Sequence, residues 1–334
     1  MADTQLSIGV VGVGHLGSLH AKLLSQIPGI VVAGVYDADS VRAHRIAAEF
    51  SLRVYTDIHE LYRAANAVCI ATPTSTHYDV AREAIAHGLH VFIEKPITST
   101  THEGEQLLQL ARDKSVQIQV GHIERFNPAL LAVEPYNIRP MFIESHRLAQ
   151  FNPRGTDVAV VLDLMIHDID IILSLVQSPV EKIEANGVAV VSDTIDIANA
   201  RLQFANGCVA NVTASRISQK KLRKMRLFQR DAYISIDFSE GSAEVFRLVD
   251  QSEKTSNLTL MLGQIAAGTK NRNIIYEKPE IKEVNALKYE LELFIDAVRQ
   301  NKRPVVSGED GLEALRVAHD IMMKIQAQTL PLQS

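Results

Sequence analysis

Residues 6–17 read LSIGVVGVGHLG, a short apolar run from Leu6 followed by a turn in which Gly12, Gly14 and Gly17 take the spacing G-x-G-x-x-G. Helix-period apolar residues continue from Leu16 to Ile27 and stop at Pro28 and Gly29, so the segment reads as strand, tight turn and helix. The first glycine permits the turn, the second lets a pyrophosphate approach the backbone, and the third lets helix and strand pack closely. The anion then meets the helix N-terminus. The backbone at His15 and Leu16 belongs to the same candidate anion site. Past Gly17 by 20 residues, Asp37 ends the next apolar run, where a carboxylate accepts both hydroxyls of a ribose. Three glycines also make an ordinary tight turn, and an aspartate there also caps a helix. Placement and spacing together favour a nicotinamide dinucleotide. Asp37 would repel a ribose phosphate, which favours NAD over NADP, and Arg42 lies close enough in sequence to keep NADP as the weaker alternative.

Outward from this stretch the alternation continues. Ile30 to Tyr36 is extended, Ser40 to Phe50 helical, Ala67 to Ala71 extended, and Val80 to His87 helical up to Gly88. His90 to Ile93, a helix from about Thr101 to Lys114, and Val116 to Gly121 complete the series. Runs such as Ala67 to Ala71 are apolar throughout, as parallel strands buried on both faces must be. After about Gly121 the pattern changes. One apolar helix, about Ala159 to Val176, precedes strand-like runs at Ile183 to Val191, Ile197 to Phe204, Cys208 to Ala214, Met225 to Phe228, Tyr233 to Phe238 and Ala243 to Val249. Turns such as Ala205 to Gly207 and Ser239 to Gly241 join them as hairpins. The expected fold is α/β: a doubly wound parallel sheet over 1–122, then an α+β domain over 123–334 with a large, mostly antiparallel open sheet. Amphipathic segments at Leu287 to Val298 and Gly308 to Gln326 are expected helices, free to pack back on the first domain.

Composition narrows the function. At about 150 residues per domain, 334 residues make about two domains. With 34 Lys and Arg against 39 Asp and Glu, the net charge of -5 supplies no broad footprint for nucleic acid. Cys69 and Cys208 stand far apart with no metal-ligand spacing, so neither a disulfide framework nor a metal site is indicated, and a cytoplasmic protein is expected. The opening Met1-Ala2-Asp3 lacks the basic region of an export signal. Asp163, His167, Asp168 and Asp170 interrupt Val158 to Val176, which reads as a buried helix and not a membrane span.

Two clusters carry acid-base chemistry. Glu94-Lys95-Pro96 lies at the C-terminal end of a strand, the edge where doubly wound sheets bind ligands. Lys95 there faces a nicotinamide, either accepting a proton if burial lowers its pKa or stabilising an alkoxide as a cation. A surface pair between Glu94 and Lys95 is the bland alternative. Pro96 fixes the local path, with a cis bond open. In the second cluster Asp163 shares a helix face with His167, four residues on, and His167 shares one with Asp170, three residues on. A carboxylate beside an imidazole is a base with an orienter; buried polar groups capping nearby loops would be the structural alternative. Ala71, Thr72, Pro73 and His77 follow a strand end and are a candidate wall of the cofactor pocket, although helix capping explains much of that composition. Arg125, with Asn127 nearby, reads as a substrate clamp or a loop ion pair, and Arg154 is a second candidate clamp. The basic run from Lys220 to Arg230 is a solvated strand face or a phosphate site.

The glycine turn, Thr72-Pro73, Glu94-Lys95-Pro96, and Asp163 with His167 resemble the Gfo/Idh/MocA family over nearly the whole chain. That resemblance implies a Rossmann domain holding NAD or NADP. It further implies a second domain whose open sheet forms homodimer or homotetramer contacts. The implied reaction is reversible hydride transfer between a ring carbinol and nicotinamide C4. By motif position Lys95 and His167 are the implied catalytic pair, with Asp163 their partner. Within the family, residues 121–128 and 163–170 are most similar to dehydrogenases acting at C3 of UDP-N-acetylglucosamine, with Val160, Val161 and Leu162 where a glycine pair is usual. The implied partner is a sugar or nucleotide sugar; inositol-like polyols, and a non-catalytic dinucleotide sensor, are the competing readings.

Overall fold

The computed structural model describes residues 5–152, 158–250, 259–267 and 270–329. The chain forms two compact units, Met1–Ile123 with Asn285–Arg316 and Glu124–Val284 with Val317–Ser334.

The first unit runs β1 (Leu6–Val11), α1 (His15–Leu24), β2 (Ile30–Tyr36), α2 (Ser40–Phe50), α3 (Ile58–Ala64), β3 (Ala67–Ile70), α4 (His77–Ala86), β4 (His90–Glu94), α5 (Thr101–Lys114) and β5 (Ile118–Gly121). Its five strands are parallel in the order β2-β1-β3-β4-β5. The chain reverses its direction of winding between β1 and β3, the place where such sheets receive ligands. Ile8, Val10, Cys69 and Phe92 form the sheet's core, and Leu287, Leu291 and Phe294, spaced four and three apart on one helix face, close it. Helix starts are set by side-chain caps: Asp39 accepts from the Arg42 amide at α2, and Thr100 with Glu103 makes a capping box at α5. Helix α3, whose cap is Asp57, was not legible as a separate element.

The second unit contains α6 (Pro128–Leu131), β6 (Phe142–Leu148), α7 (Ile166–Val176), β7 (Val180–Val188), β8 (Ile197–Phe204), β9 (Val209–Ser215), β10 (Leu222–Phe228), β11 (Ala232–Asp237), β12 (Ser242–Asp250), β13 (Thr259–Ala267) and β14 (Lys270–Glu277). Its nine strands are ordered β13-β14-β12-β11-β10-β6-β9-β8-β7, antiparallel except between β6 and β9. Alternation decides which face is buried: Ala198, Ala200 and Leu202 of β8 and Ala210, Val212 and Ala214 of β9 point into the core, and α7 packs on β6 and β9. Strands β6, β13 and β14 were missed by the sequence reading: charged residues break the runs of β6 and β14, and Gly263 and Gln264 interrupt that of β13. The expected single helix from about Ala159 is two pieces, a π-helical turn at Val161–Met165 and then α7. Two further helices, α8 (Ala286–Gln300) and α9 (Gly308–Thr329), end the described chain. Among the described residues no helix is long and apolar enough to cross a membrane.

Candidate active site

The glycine turn is built against the loop that follows β3. Gly12 takes φ +82°, and a Cβ there would meet the Ala71 carbonyl oxygen at 2.9 Å. A Cβ on Gly17 would lie 1.8 Å from the Gly12 carbonyl oxygen, so only glycine lets α1 start this close to β1. Gly14 differs: a Cβ there would meet nothing within 4 Å, and its backbone borders open space. The Asp37 carboxylate accepts from the Val13 amide and the Asp39 amide, both at 2.8 Å, and so holds the turn from the end of β2. Helix α2 is capped by Asp39 and not by Asp37. Arg42 lies 3.4 Å from Asp37 and 3.1 Å from Asp39. A carboxylate has about four lone-pair directions; the two amides take one on each Asp37 oxygen, and the other two face Arg42 Nη1 at the long distances of 3.5 and 3.4 Å, so a ribose hydroxyl would displace only the weak contact to Arg42. The turn therefore fits a dinucleotide, with the backbone of Gly12 to Gly17 for the pyrophosphate and Asp37 for the ribose. At the helix start His15 and Leu16 are exposed, while Ala71 and Thr72 are half-buried and Pro73 is exposed.

At the end of β4, Glu94 and Lys95 are half-buried, and the Lys95-Pro96 peptide bond is cis. Glu94 Oε1 lies 2.7 Å from Nε2 of His20, a residue of α1 with no solvent exposure. His77 is also buried, its Nδ1 2.9 Å from the Pro96 carbonyl oxygen and its Nε2 2.9 Å from that of Thr72. Burial pushes the His77 pKa down, against the pull of both carbonyls and of Glu94.

In the second unit Asp163 lies on the π-helical turn and His167 on the first turn of α7, both half-buried. The other two acids of this helix belong to arginines. Asp170 receives Nε and Nη2 of Arg125 at 2.7 Å each. Asp168 receives Nε of Arg147 at 2.9 Å and Nη2 at 3.0 Å, and Glu124 sits 3.2 Å from the same guanidinium. Asp170 stands three residues after His167 on α7, and its carboxylate also takes the bidentate fork of Arg125, a strong charge-assisted pairing. Burial works against the charge on Arg147, but Asp168 and Glu124 outweigh it and hold its pKa above the ordinary value. Arg147 was absent from the sequence reading, since its partners stand far off along the chain. His20 had a signal: it lies on the buried face of α1 with Gly17, Ala21 and Leu24. Asn127 caps α6 through the Ala129 amide and donates to the Phe238 carbonyl. Arg154 lies outside the described residues. From the basic run, Arg223 and Arg226 pair with Glu124 and Glu144 across the sheet face.

Residues 6–122 match the model of an oxidoreductase family with an NAD-binding Rossmann fold, and residues 139–244 match the GFO/IDH/MocA C-terminal domain. The chain belongs to the Gfo/Idh/MocA oxidoreductase family. It is 35% identical to UDP-N-acetylglucosamine 3-dehydrogenase of Acidithiobacillus ferrooxidans over 96% of this chain and 97% of that one. A solved structure of that enzyme superposes with TM-score 0.85 at 34% identity, covering 96% of this chain and 98% of the other. The scyllo-inositol 2-dehydrogenase (NAD(+)) of Bacillus subtilis is 27% identical over 94% of this chain and 92% of that one. The parallel sheet with its glycine turn, and the largely antiparallel second sheet, are thus the two modules of an NAD-binding oxidoreductase family.

Proposed function

We propose that the protein oxidises a sugar hydroxyl, that of C3 in UDP-N-acetylglucosamine, with NAD. The observation that carries this reading is the 35% identity, spread over 96% of the chain, to an enzyme of that name. Bound at the glycine turn, the nicotinamide supplies the acceptor for hydride. The chain's own residues do the rest. Lys95, at the end of β4, polarises the reacting oxygen as a cation, where a charge aimed at a developing alkoxide is worth most. His167 accepts the hydroxyl proton, and Asp163 holds its tautomer and stabilises the imidazolium. Ala71, Thr72 and Pro73 wall the cofactor. Arg125 and Asn127 shape the sugar side, Arg125 through its grip on Asp170, and Arg154 is a further candidate clamp. NADH formation across a panel of UDP-N-acetylglucosamine, free N-acetylglucosamine and inositols tests the reading. Turnover confined to an inositol would replace it with the second reading, which the Bacillus subtilis relative favours.

We also infer a homodimer or homotetramer joined through the open sheet. Phe142, Phe228, Tyr233, Phe246 and Tyr276 form a ladder of rings across β6, β10, β11, β12 and β14, with neighbouring centroids 5.0 to 5.9 Å apart. Their strand neighbours Ile143, Leu227, Ile234, Val245 and Ile275 are buried, so the ladder occupies the face turned from the core. Light scattering of Phe228→Asp against the parent chain tests this, with a smaller assembly expected. The two buried, unpaired cysteines suit a cytoplasmic setting.

A further inference from the structure

Two buried histidines of the first unit have no part in the reaction as proposed, yet both touch the residues flanking Lys95. His77 stands on the first turn of α4 with 1% of its surface exposed, and each ring nitrogen faces a backbone carbonyl 2.9 Å away, Pro96 on one side and Thr72 on the other. A neutral imidazole carries one N–H and a protonated one carries two. Both nitrogens face acceptors, so the neutral ring donates to one of the two carbonyls and only the protonated ring donates to both, and neither nitrogen is turned toward a ligand. A wall of the cofactor pocket is therefore a poorer description of His77 than a strut between the loops after β3 and β4.

On the other side of Lys95, the His20 ring is wholly buried, packs edge-on against Phe92 with centroids 5.2 Å apart, and donates from Nε2 to Glu94 Oε1 at 2.7 Å. The second carboxylate oxygen of Glu94 lies where a Cβ on Gly121 would come within 2.9 Å of it. Glu94 thus fits between an imidazole and a glycine that leaves it room, with little freedom to swing. The residue before Lys95 is fixed through its side chain and the residue after it through its carbonyl.

We propose that His20 and His77 are positioning residues for Lys95, bracketing it through the Glu94 carboxylate and the Pro96 carbonyl. The proposal rests on Lys95 acting in the reaction. A displacement of about 1 Å at a catalytic group can cost about a hundredfold in rate, so loss of either strut is expected to lower kcat and leave the dinucleotide site intact.

A double-mutant cycle tests it. His77→Leu and His20→Leu keep apolar volume and remove the donor, and each is made alone and with Lys95→Met. With UDP-N-acetylglucosamine and NAD, each single variant is expected to lose about tenfold or more in kcat, with the Kd for NAD changed less than about threefold. In the Lys95→Met background the further loss should stay under about twofold, because a residue acting through Lys95 has nothing left to position. His77→Gln and His20→Gln, which keep an N–H, should recover part of the loss. Losses that multiply in the double variants, or single variants within twofold of the parent, would overturn the proposal. His77→Asn repeats the cycle if the leucine variant does not fold.

A second readout needs neither substrate nor cofactor. Pulsed acetylation followed by mass spectrometry of each lysine should show Lys95 labelled about threefold faster in the leucine variants, with Lys22 unchanged. Unchanged labelling of Lys95 would overturn the proposal by itself. Full activity of Lys95→Met would instead remove the role assigned to Lys95 while the labelling result stood, so the two failures are distinguishable.

Discussion

Arg125 grips Asp170 through two hydrogen bonds of 2.7 Å, and the Asp170 side chain is 1% exposed. Removing one partner of such a pair leaves a buried charge uncompensated, at a cost of about 3–5 kcal/mol. Arg125→Met should lower the urea midpoint accordingly, and Arg125→Met with Asp170→Leu should regain most of the loss. A single variant costing less than about 1 kcal/mol would show that the pair is dispensable to the fold.

The three glycines of the turn should separate folding from binding. A Cβ on Gly17 collides with the Gly12 carbonyl oxygen, whereas one on Gly14 meets nothing. Gly14 has φ -64° and ψ -155°, an extended conformation outside the left-handed region that demands glycine. Gly17→Ala is therefore expected to destabilise or unfold the chain. Gly14→Ala should melt with the parent and bind NAD more weakly by about tenfold, since the methyl fills the space left for a pyrophosphate. Thermal melts and NAD titration decide; normal NAD binding by Gly14→Ala would contradict the placement of the phosphates.

Asp37 sits between the Val13 amide and Arg42. Asp37→Ser should cut the preference for NAD over NADP by about tenfold or more, because it removes both the ribose acceptor and the charge that repels a 2′-phosphate and leaves Arg42 free of Asp37. The ratio of kcat/KM with the two cofactors measures this. An unchanged ratio would take Asp37 out of cofactor selection.

Burial holds the imidazoles of His77, His90 and His319 below the ordinary pKa of 6.5. Between that value and the lowered one, the unfolded chain binds more protons than the folded chain, so stability rises with pH there. The contribution is complete above about pH 6.5 and is lost as the pH falls through the folded values. Urea midpoints at pH 7.5, 6.5 and 5.5 should fall in that order, and a flat or inverted trend would contradict the burial of these rings.

What could be read from the residues follows a physical divide. The strand-turn-helix at Leu6 to Leu24 was legible because the glycine spacing, the continuous apolar run and the helix period are all local. The Lys95-Pro96 motif was legible for the same reason. Arg147, bound to Asp168 and Glu124 on other elements, gave no local sign. The π-helical turn at Val161–Met165 was hidden because its apolar composition matches that of the α-helix after it. The fork of Arg125 on Asp170 was hidden for the same reason as Arg147, since the two residues stand 45 apart in sequence.

The most direct test of the proposed chemistry is isotope transfer from UDP-N-acetylglucosamine deuterated at C3. Incubation with NAD should give deuterated NADH and a 3-keto nucleotide sugar, with Lys95→Met and His167→Ala each slowing the transfer by about a hundredfold or more. Undeuterated NADH, or transfer at parental rates in both variants, would contradict it.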